Sequence, residues 1–136
     1  MFAPNFRFIQ KAAVVHPDEP RVLLLRRAAE ASYRPGNWDF PGGNVERDEL
    51  HGAALTREIR EETGLSVGAF CPLKVVSDLD PDGTYVLHIV YTCSAETSAV
   101  VLSREHSEYS WFGQTELEAL GRSRYVVWAL EALNSR

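Results

Sequence analysis

The stretch GGNVERDELHGAALTREIREETGL, residues 42–65, decides how the rest of the chain is read. It opens on two glycines, crowds glutamates into its second half and stops at Gly64. Either this is an ordinary solvated helix, or its carboxylates face something positive. On a helix at about 100° per residue, with Glu58 at zero, Glu61 falls at about −60° and Glu62 at about +40°. Gly52, Leu55, Thr56, Ile59 and Thr63 take the neighbouring arc, which suits packing on a sheet. The carboxylates therefore border the buried side instead of opposing it. Like charges three and four residues apart repel by about 0.2–0.5 kcal/mol per pair, and a solvated face gains nothing from that. Three converging carboxylates do make a hard oxygen site for Mg²⁺, with Mn²⁺ as the alternative. The glycine lead-in lets the backbone come close to the same point.

Working outward, Asp48 or Glu49 suits the start of this helix and Gly64 its end. Upstream, residues 7–15 and 21–26 read as strands joined through the turn chemistry of His16-Pro17-Asp18-Glu19-Pro20. The run VLLL (22–25) is continuous enough for burial on both faces. Downstream, LKVVSDL (73–79) and TYVLHIVYTC (84–93) form a second hairpin around Pro81-Asp82-Gly83. SAVVL (98–102) and YSWF (109–112) add short strand pieces. Thr115 to Glu118 has the pattern of a capping box. Residues 123–134 make a last helix with Val126, Val127, Leu130 and Leu133 on its apolar side. Strands flanking a mid-chain helix predict an α+β fold with a mixed sheet covered by helices. The 136 residues match the commonest size of one domain, 1–136.

The net charge of −5 argues against a nucleic-acid partner, because phosphate binding needs clustered Lys and Arg. No apolar run approaches the ~18 residues of a bilayer span. The N-terminus lacks the layout of a secretory signal, so a cytoplasmic location is the expectation by elimination. Two cysteines, Cys71 and Cys93, are too few for a disulfide framework.

Gly43, five residues, Glu49, seven residues, then Arg57-Glu58-Ile59-Arg60-Glu61-Glu62-Thr63-Gly64-Leu65 resembles a complete Nudix box. Asp48 stands where many relatives carry glycine, at a position the pattern leaves free. The resemblance implies an α/β/α sandwich with a mixed central sheet, and hydrolysis of a nucleoside diphosphate linked to another group. It also implies a divalent metal, Mg²⁺ first and Mn²⁺ second, held by Glu58, Glu61 and Glu62 with the backbone of Gly43. Glu49 and Arg57 would hold those carboxylates in place, with Glu46 in support.

Water must attack phosphorus in an anionic substrate, so cations are needed to shield charge and a base to take a proton. Glu58 or Glu61 are base candidates within the box. Outside it stand Glu105 and Glu108, with Glu108 ahead because it lies nearer the strand-like YSWF. Arg27 is a phosphate-binding candidate that Arg26 could replace. Tyr33 and Trp38 are stacking candidates, although Trp38 beside Phe40 reads more simply as a core anchor. His88 reads as a core residue and His106 as a surface one. The expected substrate is a nucleoside triphosphate, including oxidised or non-standard ones, with ADP-ribose or a nucleotide sugar as rival. A non-catalytic nucleotide sensor is the alternative of another class, and an RNA cap-removing enzyme would want a basic groove. Monomer and homodimer are equally compatible with the residues.

Overall fold

The computed structural model describes residues 5–31, 34–46 and 48–135. Its strands are β1 (Phe6–Val15), β2 (Val22–Arg27), β3 (Trp38–Asp39), β4 (Gly42–Asn44), β5 (Cys71–Leu79), β6 (Tyr85–Ser94) and β7 (His106–Phe112). Its helices are α1 (His51–Thr63), α2 (Gln114–Ala119) and α3 (Arg124–Asn134). The strands form one mixed sheet in which β1 runs parallel to β6, from Phe6↔Tyr85 to Val15↔Ser94. The other pairings are antiparallel.

One irregularity of this sheet positions everything that matters for function. β1 and β2 meet only at Val15↔Val22 and then part. The segment from Trp38 to Asn44 fills the opening, β3 pairing with β2 and β4 with β1. The two glycines are thereby delivered to the centre of the sheet, at the point where α1 begins to pass beneath it.

Alternation along the central strands builds a core on each face, as a period of two requires. Ala12, Val14, Leu23 and Leu25 pack with Leu55 and Ile59 of α1. Ala13, Val15, Val22 and Leu24 pack with Phe40, Leu117 of α2, and Trp128 and Ala129 of α3. Val22 through Leu25 are all fully buried, as a two-sided strand demands. At roughly 1.5–3 kcal/mol per buried aliphatic side chain, these four anchor the sandwich.

Several boundaries differ from expectation, each for a local reason. Helix α1 begins at His51 because Asp48 sits in a left-handed turn (φ 73°) and Arg57 takes the carboxylate of Glu49, so neither caps the helix. Gly64 ends it as foreseen, in the left-handed conformation with its N–H donating to Arg60 O at 2.9 Å. Residues 98–102 form no strand. There Val101 N–H donates to Thr63 O, and Val100 and Leu102 pack over the α1 core. Helix α2 is capped two residues before Thr115, at Gly113, with Glu116 accepting from Gly113 N–H at 2.9 Å. In α3, Val127 faces outward, and Tyr125, Trp128 and Ala132 fill the buried side with Val126. Among the described residues no helix is long and apolar enough to cross a membrane.

Candidate active site

Beneath the glycine pair, α1 presents the buried carboxylate of Glu62 and the partly buried one of Glu58. Glu62 Oε1 accepts the N–H of Gly42 at 2.9 Å. Gly42 has a φ of 137°, and a Cβ there would collide with the backbone of Gln10, so only glycine fits. A Cβ on Gly43 would overlap Oε2 of Glu58. The backbone and the carboxylates are thus in contact because both glycines lack side chains.

Burial dominates the electrostatics of this floor. It pushes the Glu62 carboxyl up to about 8, against the Gly42 hydrogen bond and the charge of Lys11, while Glu58 adds to the rise. It pushes Glu58 up to about 7 despite the nearby charges of Arg57 and Lys11. Oε1 of Glu58 is buried without a hydrogen-bond partner. Two neighbouring carboxyls raised in this way, one with an orphaned oxygen, fit a hard divalent cation, which would return both to the ionised form. Glu58, Glu62 and the adjoining Gly43 backbone are the groups that would hold it.

The rim of the site is ordered differently. The Arg57 guanidinium grips both oxygens of Glu49, at 2.8 and 3.0 Å, and reaches Glu61 at 3.0 Å. Hydrogen bonding to Arg57 holds the Glu49 carboxyl below its usual range. Glu61 is the most exposed member of this set, and its carboxylate accepts from Arg57 while lining the same cavity as Glu58 and Glu62. Glu46 is exposed on the same cavity wall, where its N–H donates to Glu49 at 3.3 Å.

The opposite wall comes from the segment leading into β7. Ser103 N–H donates to Glu62 O at 3.3 Å, and Ala28 N–H to Glu105 O at 2.9 Å. These bonds tie the segment to α1 on one side and to the end of β2 on the other. One ligand atom each from Glu62, Glu105 and His106 lie within 4.8 Å of one another. Two of the residues considered in this segment stand apart from where the sequence suggested. Glu108 lies directly across from Arg26 in the β2–β7 ladder and pairs with it at 2.8 Å, so Glu105 is the carboxylate that lines the cavity. His106 is buried at 6% exposure, because β7 begins at this residue and turns its ring inward.

The cavity is about 960 Å³, and Arg27, Arg34 and Lys11 share its walls with the box carboxylates. Arg34 lies over the ring of Tyr125, 5.1 Å from its centroid. Burial opposes the charge of Lys11, but Asp39 at 3.3 Å, with Tyr125 and Glu62 beyond it, outweighs that and raises its pKa. Trp38 does not line the cavity. Its ring stands edge-on to Phe112 in the core, 5.0 Å between centroids. Arg26 is likewise engaged elsewhere, by Glu108 and the carbonyl of Gly36. Tyr33 lies outside the described residues. At the far end, His88 Nε2 stands 3.1 Å from Asp78, which also holds Arg124. Lys11, Asp39 and Tyr125 join the site although no motif marks them. The available signal was a charge set inside otherwise apolar strand sequence, as in QKAAVV and WDF.

The NUDIX domain model matches residues 9–129. A protein called nucleoside triphosphatase NudI from Klebsiella pneumoniae (strain 342) is 32% identical over 111 residues, covering 74% of this chain and 79% of its own length. A MutT-like protein from Streptomyces ambofaciens is 28% identical, covering 97% of this chain and 80% of its own. Among solved structures, a MutT protein from Methanosarcina mazei Go1 superposes with a TM-score of 0.76 at 28% identity, over 99% of this chain and 97% of that one. A MutT NUDIX hydrolase from Burkholderia pseudomallei gives 0.75, also at 28% identity, over 94% and 98%. The match spans both walls of the cavity as well as the helix that supplies its floor, and on that ground this chain belongs to the NUDIX domain family and is a Nudix hydrolase.

Proposed function

We propose that this hydrolase cleaves a diphosphate bond in a nucleoside triphosphate and works with a divalent cation, Mg²⁺ or Mn²⁺. The observation that carries the reading is the floor of the cavity: Glu62, buried, and Glu58, half-buried, in contact with Gly42 and Gly43, with arginines on the surrounding walls. A cation bound there supplies charge shielding of the phosphates and a more acidic water.

The chain's own groups supply the rest. Arg57, clamped to Glu49, fixes the approach of α1 to the rim and holds Glu61 in reach, as outer partners of metal sites do. Arg27 and Arg34 offer planar cationic groups to phosphate oxygens from the cavity wall. The proton of the attacking water passes to a carboxylate on that wall, Glu61 or Glu105, each of which faces the same space. The water oxygen bonds to phosphorus, the bridging oxygen leaves with the other phosphate group, and two smaller anions result.

A triphosphate is preferred because the relative from Klebsiella pneumoniae carries that activity in its name. The cavity volume favours a second reading, a larger ligand such as ADP-ribose or a nucleotide sugar, since about 960 Å³ is at the upper end for small-molecule sites. A panel of nucleotides incubated with Mg²⁺ separates them. Triphosphates should yield diphosphate and a monophosphate, whereas ADP-ribose turnover would give two monophosphates and no free diphosphate. Binding across the panel without any product would overturn both.

A further inference from the structure

We infer that the face of the sheet left bare over β1, β5 and β6 is a self-association surface whose occupant is a second copy of this chain. Helix α1 covers only part of its own face. Ala12 and Val14 of β1 pack beneath it, and Gln10 Nε2 donates to the carbonyl of His51, the first residue of the helix. Toward Phe6 the strand is exposed or half-buried. Side chains two apart along a strand share a face, so the register defines three cross-strand rows there. Val75, Ile89 and Gln10 form the first row, and Ser77, Leu87 and Phe8 the second. Leu79, Tyr85 and Phe6 form the third, where the rings of Phe6 and Tyr85 stack at 5.7 Å between centroids. Phe6, Val75 and Leu79 are 57%, 62% and 72% exposed. Contiguous apolar surface of this kind marks an interaction site. Among the described residues β5 pairs with β6 alone, so the patch also ends in a free strand edge.

Charge decides the partner. None of the three rows contains Asp, Glu, Lys, Arg or His, whereas the opposite face of the same strands carries Arg7, Lys11, Lys74, Asp78 and His88. Nucleic acid and anionic lipid need a basic surface, and the net charge of −5 repels both. A two-fold contact sets the same patch of each copy against itself, so a patch of one sign repels its mate. Two chains of net charge −5 therefore meet at least cost where charge is absent. Burial of the aromatic and aliphatic side chains then drives the contact, as in the uncharged centre of other interfaces. Arg7, Lys11, Asp78 and His88 of the opposite face line the cavity, so a copy seated on the uncharged rows leaves that wall free.

The test reads association and not turnover. Sedimentation velocity of the full chain, from micromolar to millimolar, should show a monomer–dimer equilibrium. Leu79→Glu and Val75→Glu, made separately, should each weaken it by roughly 10–100-fold, the effect of desolvating an unpaired charge. Val101→Glu, at a residue equally exposed but outside the three rows, should leave it unchanged. Circular dichroism checks that each variant folds. Should neither patch variant fold, nuclear magnetic resonance of the unaltered chain decides in their place. The ring signals of Phe6 and Tyr85 should then shift as concentration rises, and their constancy would overturn the inference. A monomer over the whole range overturns it as well, and so does a dimer that both patch variants leave intact. A monomer that begins to dimerise once residues 1–4 are deleted assigns the cover to the chain's own N-terminal segment, against a second copy.

Discussion

Glu62 and Glu49 are the same side chain in one short stretch, and the fold treats them in opposite ways. Glu62 lies under the sheet, where loss of solvent pushes its carboxyl up to about 8. Glu49 lies at the rim, where the Arg57 fork holds its carboxyl low. Glu58 follows the first and Glu61 shares the arginine of the second. The floor is therefore a pair of carboxyls that burial keeps from ionising, and the rim a set already paired with an arginine. A cluster of acidic residues is not a single electrostatic object. Its members divide according to which of them the sheet covers.

The largest effect should come from the floor. Glu62→Gln should lower kcat by roughly 10²–10³, the scale for removing one electrostatic contact that acts on the reacting groups. The same variant has a stability signature in cation-free buffer. Because the folded value of Glu62 is raised from 4.5 to about 8, its contribution to stability is full below about 4.5 and is lost as pH rises through about 8. Glu62→Gln should flatten that loss, seen as the difference in urea midpoint from the parent between pH 5 and 8. Parallel pH curves for the two proteins would show that the sheet does not bury this carboxyl as described.

The rim should matter less, and in a different way. Arg57→Ala releases Glu49 and Glu61 together and should cost ~10–100-fold in kcat, the range for groups that orient metal ligands. The fork is partly solvent-exposed, so its loss should cost little stability. Arg57→Lys should not rescue the rate, since an ammonium cannot bind both oxygens of Glu49 in parallel. Full rescue by lysine would reduce the fork to simple charge.

The smallest effect belongs to Glu108. Glu108→Gln removes an exposed pair with Arg26 and should change kcat/KM by less than about twofold and stability by under about 0.5 kcal/mol. Glu105→Gln, assayed beside it, should show a loss many times larger. The reverse order would return the catalytic role to Glu108.

Much of the fold was legible because its signals are local. VLLL announces a strand buried on both faces, Gly64 a helix end, and Pro81-Asp82-Gly83 a hairpin turn. Each depends on chemistry within a few residues, so the chain need not be folded to be read. The box spacing likewise places Glu58 and Glu62 on one side of a helix whatever lies above it. The opposite wall was not legible. In sequence Glu108 stands ahead of Glu105 for its nearness to YSWF, and only the β2–β7 register sets Glu108 across from Arg26 and leaves Glu105 near Glu62. Glu105 lies in the turn just before β7 and Glu108 inside it, so where the strand begins separates a cavity carboxylate from a solvent ion pair. His106 meets Glu62, and Lys11 meets Asp39, through pairings between distant segments that no local pattern encodes. The amino-acid sequence by itself determined which residues would carry charge on the box helix. The tertiary structure alone decided which of those charges lost their water, because desolvation is a property of the packed sheet above them.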